Sequence, residues 1–295
     1  MQGDNATTLA QPAMVPMLAT VATMASLEEM RGNATALVHN VDPADMVKSC
    51  LWSVSVKTEK SVKLGLTDIS LVLYLKPGVF CPKATEACLA GCLGDTSGHL
   101  AMPNGNAQRA MLRRSKWYLE DRQAFSDALV AEASDIVKAW RKANGRRPRV
   151  LVRLNGTSDL PWGGTRLDLR RALGHMGGDI ADVRFYEYTK KWAHHKNFTL
   201  DATEKAHAAV FDCVNVLSRH ENTTDAEILD ACRRGYTVAV VFSTKAGKPL
   251  PETYLGLPVV DGDLHDDRTV DPVGCIVGLR AKGAMRSGNA MVVQV

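Results

Sequence analysis

Three cysteines fall within the twelve-residue stretch CPKATEACLAGC, which runs from Cys81 to Cys92 and includes Cys88. Thiolates are soft donors that suit zinc and iron–sulfur clusters. The spacing C-x6-C-x3-C lacks the C-x-x-C knuckle usual in structural zinc sites. Cys88 and Cys92 are four apart, so one helical turn would set both on one face. Cys81 precedes that turn, at a bend that Pro82 helps to fix through its locked φ. Three cysteines of one loop can hold three irons of a [4Fe–4S] cubane, leaving the fourth for a distant ligand or a small molecule. Two other chemistries stay open: a zinc completed by His99 or another residue, and unliganded core or redox thiols. Cys50, Cys213, Cys232 and Cys275 lie far apart in sequence and read as small buried hydrophobes.

A loop of this kind needs a scaffold. Residues 49–76 read as extended: SVSVKT alternates, and ISLVLYL is a β-branched and aromatic run fit for a buried strand. Pro77 and Gly78 end that run, and the cysteine loop follows at once. Residues 107–144 carry apolar side chains at helical spacing, as one or two helices stopped by Asn144 and Gly145. After them RVLVRLN, DVRFYEYT, DCVNVLSR, YTVAVVF and VGCIVGLR read as strands, with LDLRRALGHMGG and TDAEILDACRRG as helices. Thr224 and Glu227 stand at capping-box spacing, as do Ser26 and Glu29 of SLEE, where a short helix near Ser26–Met30 is expected. The alternation predicts an α/β fold, a partial (β/α) barrel of parallel strands, over a single domain of residues 46–295 with the cysteine loop at 81–92. Residues 1–45, rich in Ala, Thr and Met, read as a flexible arm.

In parallel α/β folds the site lies at the carboxyl ends of the strands. Four strands here run into polar residues: Asn155, Thr157, Ser158 and Asp159; Thr189 and Lys190; Ser218 and Arg219; Ser243, Thr244 and Lys245. Lys190 and Asp159 are the expected catalytic pair, since a lysine ending a buried strand can act as a base or hold a carboxylate. Asn155, Ser158, Ser218 and Asp263 are the expected cofactor-binding residues. Asp263 belongs to DGDLHDDRTVDP, which misses the EF-hand pattern but could aim Asp263, Asp266 or Arg268 into a strand-end pocket. GLRAKGAMRSG lacks the order of a Walker loop, although Lys282 could reach a phosphate or carboxylate from the last strand end. His194 and His195 are adjacent and read as surface histidines.

A cysteine loop after the first strand of a partial barrel is similar to that of radical SAM enzymes, whose open iron binds S-adenosylmethionine. The position matches; the spacing is not the usual C-x3-C-x2-C of that superfamily.

At 295 residues, 45% hydrophobic and 23% charged, the chain is long enough to bury a core without covalent staples. Seven cysteines, an odd number, argue against a complete disulfide framework. The start shows no secretory pattern and no apolar run is long enough for a membrane, so a reducing cytoplasm is expected and no membrane partner. Net charge is +4, yet residues 106–171 hold 15 Lys or Arg against 7 Asp or Glu. That imbalance raises an alternative to a small-molecule enzyme: a nucleic-acid-binding protein with a structural metal, using Arg109, Arg113, Arg114, Lys116, Arg141, Lys142, Arg146 and Arg147. Aromatic residues for base stacking are sparse at 6%, and no recognition motif is present.

Several stretches together resemble the phage and prophage family called gene product eighty-eight: CPKATEACLAGCLGDTSG, QRAMLRRSKWYLEDRQAF, VRLNGTSDLPW, FYEYTKK, VNVLSRHE and VVDGDLHDDRTVDPVGCIVGLRAKG. The resemblance covers about residues 60–285. It implies a viral or mobile-element origin, hence the cytoplasm of a host cell, and a cysteine-ligated cluster. It supplies no substrate.

Overall fold

Short β-branched strands cannot bury both faces by themselves, and the amphipathic helices between them supply the cover. The computed structural model describes residues 27–40, 50–53, 56–102, 105–175, 183–192, 213–286 and 288–295. The helices are α1 (Leu27–His39), α2 (Val56–Lys63), α3 (Glu86–Ala90), α4 (Leu93–Thr96), α5 (Asn106–Glu120), α6 (Arg122–Asn144), α7 (Gly163–His175) and α8 (Asp225–Arg233). The strands are β1 (Ile69–Val72), β2 (Val150–Arg153), β3 (Val183–Thr189), β4 (Cys213–Ser218), β5 (Thr237–Phe242), β6 (Thr253–Tyr254), β7 (Leu257–Asp261), β8 (Ile276–Arg280) and β9 (Val292–Val293).

These strands form one mostly parallel sheet in the order β1-β2-β3-β4-β5-β8-β7-β6, with β9 beside β5. From β1 to β5, and on to β8, every neighbouring pair is parallel; only β6, turned back on β7, is antiparallel. The sheet is open. Chain order and spatial order coincide from β1 to β5, so all five strands point their carboxyl ends to the same edge.

Residue parity separates the two faces. On one face Ile69, Val150, Val152, Val183 and Phe185 pack with residues of α6 and α7, and Leu217, Val238, Val240, Phe242 and Ile276 pack with α8. On the other face the apolar clusters are small: Val72, Tyr74 and Met111, and Val216, Ala239 and Val277 with Tyr188 and Leu279 beside them. Here β2 and β3 present Arg153, Tyr186 and Tyr188 instead. The Arg153 guanidinium lies 4.8 Å from the Tyr188 ring centroid and 5.7 Å from that of Tyr186, and pairs with Asp266 at 3.5 Å. The segment after β7 packs on β3 and β4 and brings more charge. Asp267 pairs with Arg184 at 3.0 Å; Arg268, 1% exposed, pairs with Asp271 at 3.0 Å and donates to the His265 carbonyl at 2.6 Å. Burying such ions is tolerable only because each finds a partner.

Several local expectations hold. Asp121 divides the long helical region in two, its carboxylate accepting from the Ala124 amide at 3.0 Å. Gly145 ends α6 at φ 64°, a left-handed conformation natural to glycine. Both halves of the Thr224–Glu227 capping box are formed. One expectation fails over part of SVSVKT: Ser53 bridges to Val72, Val54 and Ser55 lie outside the described residues, and α2 begins at Val56, because VKTEKSVK offers two apolar residues among straight-chain Lys and Glu that favour helix. Of the expected arm, residues 1–26 and 41–45 lie outside the described residues. Within it α1 buries Ala34 and Val38, and Arg31 donates to the carbonyls of Cys81 and Pro82 at 2.9 and 3.2 Å.

Candidate functional site

The chain leaves β1 through buried Leu73–Leu75 and enters the cysteine loop at the carboxyl edge of the sheet. Thr85 caps α3: its hydroxyl accepts from the Cys88 amide at 3.3 Å and donates to Glu221 Oε2, beyond β4, at 2.8 Å. Asn289 donates to the Ala87 carbonyl at 2.7 Å, which ties the same helix to the end of the chain. The single turn expected to carry Cys88 and Cys92 is broken, since α3 ends at Gly91 and Cys92 stands between α3 and α4 as the cap of α4.

The three thiols converge on the same edge. Cys81 Sγ lies 3.5 Å from the Thr157 carbonyl oxygen, and Cys88 packs against the Met285–Met291 cluster. Burial pushes Cys81 up to about 11 and Cys92 up to about 12. The charge of Cys88 adds to both, that of Cys81 adds to Cys92, and Lys190 pulls Cys81 the other way. Among the described residues no three His, Cys, Asp or Glu side chains stand so as to share one metal ion. A single tetrahedral zinc with bonds of about 2.3 Å would hold its thiolates about 3.8 Å apart. A cubane binds each cysteine to a different iron and needs a wider set. The side chain of His99 lies outside the described residues.

Beside the loop a cavity of about 300 Å³ opens where β2, β3, β4, β5 and β8 end. Strand-end residues line it: Arg153 from β2, Tyr188 and Lys190 from β3, Ser218 and Arg219 from β4, Arg280 and Lys282 from β8. Asp263 and Asp266 contribute two carboxylates, and Leu93, Met285 and Met291 an apolar side. Two glycines in the wall permit close approach: a Cβ on Gly156 would come 2.5 Å from the Leu73 carbonyl oxygen, and one on Gly94 would come 2.6 Å from Pro77 Cγ. The acids are neutralised within the wall. Asp263 pairs with Lys282 at 2.6 Å and Arg280 at 3.2 Å, and Asp266 with Arg153. Burial, and after it the charges of Lys190 and Arg219, hold His220 below its ordinary value against the opposing pull of Glu221.

Lys190, Ser218 and Asp263 therefore meet in one cavity, together with Asp266, Arg219 and Lys282. Asn155, Ser158 and Asp159 stand behind its wall. Asn155 Nδ2 donates to Glu187 at 2.7 Å and the Leu160 carbonyl at 3.0 Å; its Oδ1 accepts from Ser158, Leu160 and Trp162. Asp159 accepts from Thr189 Oγ1 at 2.9 Å and the Lys190 amide at 3.1 Å, and pairs with Lys191 at 3.5 Å. It positions Lys190 from behind. Ser243, Thr244 and Lys245 line a different cavity, because the Ser243 amide bonds to Val293 and β9 closes that end of β5. Arg268 faces His265 and Asp271 instead. His194 and His195 lie outside the described residues. Arg153, Tyr188 and Arg280 went unsuspected as wall residues; their signal was a charged or aromatic residue at an inward position of an otherwise apolar strand.

The basic helical region is partly engaged internally. Arg114 donates to the Tyr74 carbonyl at 3.1 Å, and Arg146 pairs with Asp68 at 2.7 Å and stacks on Trp140 at 4.8 Å. Among the described residues no helix is long and apolar enough to cross a membrane.

The fold and cavity define a mixed α/β protein with a mostly parallel sheet and a cationic pocket at the strand ends, flanked by a three-cysteine loop. Its sequence matches the family model described as Gene product 88 over residues 51–293, and the chain belongs to that phage gene-product family. No curated protein and no solved structure matches the chain.

Proposed function

We propose that this protein is an iron–sulfur enzyme of radical-SAM-like architecture, acting on a small molecule in the strand-end cavity. The observation that carries the proposal is the convergence of Cys81, Cys88 and Cys92, on the loop after β1, at the carboxyl edge of six parallel strands beside a 300 Å³ cavity. In this reading β1 to β5 and β8 form a partial (β/α) barrel, and the cysteines hold a [4Fe–4S] cluster. When bound, such a cluster supplies one-electron chemistry, with S-adenosylmethionine as its partner. The chain's own part is placement. Asp159 fixes the Lys190 backbone, Asn155 and Ser158 hold the loop after β2, and buried Met285 and Met291 give the cavity an apolar side. Each bound iron ligand must lose its proton, and burial holds Cys81 and Cys92 protonated at neutral pH, so cluster assembly releases protons. The nucleic-acid reading gains no support from Arg114 and Arg146, which are already engaged.

The test is anaerobic purification followed by iron and zinc analysis, with a Cys81, Cys88, Cys92→Ala variant alongside. About four irons per chain, with colour that the variant loses, is the expected result. One zinc and no colour would refute the radical reading.

A further inference from the structure

We propose that Lys190, Ser218 and Arg219 form an anion-binding subsite, and that the cavity takes a small organic acid, a carboxylate or phosphate monoester with an apolar body. The proposal rests on the walls alone and holds whether or not the cysteines carry a cluster.

Five cationic side chains line the cavity against two carboxylates. Three of the five are spoken for: Arg153 by Asp266, and Arg280 and Lys282 by Asp263. The other two are neighbours across the β3–β4 edge, where Thr189 registers with Leu217. Among the described residues neither Lys190 nor Arg219 has an acidic partner. The Lys190 backbone is anchored by Asp159, and its side chain lines the cavity. Arg219 spends one nitrogen on the Met291 carbonyl at 2.9 Å, and among the described residues its buried Nε has no partner. A buried donor left unpaired costs free energy that an acceptor in the cavity would return. Ser218 lines the cavity from the residue before Arg219 and adds a hydroxyl. Lysine, arginine and serine on two adjacent strand ends are the donor set of carboxylate and phosphate recognition. The charges of Lys190 and Arg219 both reach His220, so the two cations and the histidine share one field.

The apolar part of the wall suits the rest of the ligand. Leu93, Met285 and Met291 are apolar, and methionine adapts its shape to what it touches. A cavity of about 300 Å³ is at the small end for ligand sites. An anionic head on Lys190, Ser218 and Arg219 with a compact apolar body against the methionines fills it.

The experiment compares three probes of one shape by calorimetry on the anaerobically purified full chain: phenyl phosphate, phenylacetate and neutral benzyl alcohol. At least one anion should bind about tenfold or more tightly than the alcohol, and the tighter one names the head group. Lys190→Gln should weaken that anion about tenfold and leave benzyl alcohol unchanged, while Lys142→Gln on the exposed face of α6 changes neither. Ser218→Ala gives a second, smaller loss and keeps the test sound should the charge change disturb folding. Anions binding no better than the alcohol, or binding the Lys190 and Ser218 variants as they bind wild type, would overturn the subsite. The same titration on the triple-cysteine variant separates the two ideas, since the anion should still bind where the cluster is lost.

Discussion

Asn155 is 2% exposed, and its side chain makes five hydrogen bonds. Nδ2 serves Glu187 and the Leu160 carbonyl, and Oδ1 gathers Ser158 Oγ at 2.9 Å, the Leu160 amide at 3.0 Å and Trp162 Nε1 at 2.9 Å. Asn155→Ala removes all five at once. Trp162 is 3% exposed and Glu187 9%, so water cannot readily replace what is lost. Each net hydrogen bond is worth about 1 kcal/mol and each stranded buried partner somewhat more, which sets the sum near 5 kcal/mol. Collapse of the loop after β2 would recover part of it, so the expected loss is about 3–4 kcal/mol, a large share of the roughly 5–15 kcal/mol that holds a domain together. Urea denaturation followed by fluorescence measures it, with Trp162 as a local reporter. Asn155→Asp should be worse than alanine at neutral pH, because it sets a second carboxylate 2.7 Å from Glu187 Oε2. Its penalty should shrink as the solution is acidified and one carboxyl takes a proton. A loss below about 1 kcal/mol for Asn155→Ala, or an aspartate variant no less stable than the alanine one, would refute the claim that this residue is the structural hub of the loop.

Asp68 is held well below the usual carboxylate range, first by Arg146 and then by Arg149. A lowered folded value stabilises above the unfolded value of about 4 and is lost as pH falls through and below it. Asp68→Asn should therefore cost about 1–2 kcal/mol at pH 7, modest because both arginine heads face solvent, and the gap from wild type in pH-dependent melts should close below about pH 4. Gly156→Ala sets a Cβ 2.5 Å from a backbone carbonyl that cannot move aside, and should lower stability by about 3 kcal/mol in the same urea assay. Lys190→Gln removes a charge that depresses His220, so the imidazole should titrate at higher pH by NMR; an unmoved His220 would place Lys190 elsewhere.

Much of the scaffold could be read from the chain because its cues are local. The strands of β2 to β5 and β8 are β-branched runs with polar ends, and the caps at Gly145 and Thr224 depend on a few neighbouring residues. Parallel alternation then places Lys190 and Ser218 on one edge without any knowledge of packing. What escaped is decided at a distance. Asn155 and Asp159 look like pocket residues by type, yet Glu187 and Thr189 claim them from another strand. Ser243 looks equivalent to Ser218, but β9, fifty residues on, covers it. The helix predicted across Cys88 and Cys92 breaks at Gly91, where a Cβ would meet Met285 Cγ at 2.7 Å.

The cysteine loop is fastened by Glu221 to Thr85 and by Asn289 to Ala87, the second link spanning 202 residues of sequence. Synthesis runs from one end of the chain to the other, so the three thiols emerge long before the segments that cage them. Until Asn289 and the Met285–Met291 cluster are in place the thiols stay open to oxidants and to stray metal. The loop reaches its final shape only once Asn289 has been made, and a stop between Cys92 and Asn289 leaves a protein with all three cysteines but without that link and the methionine cluster.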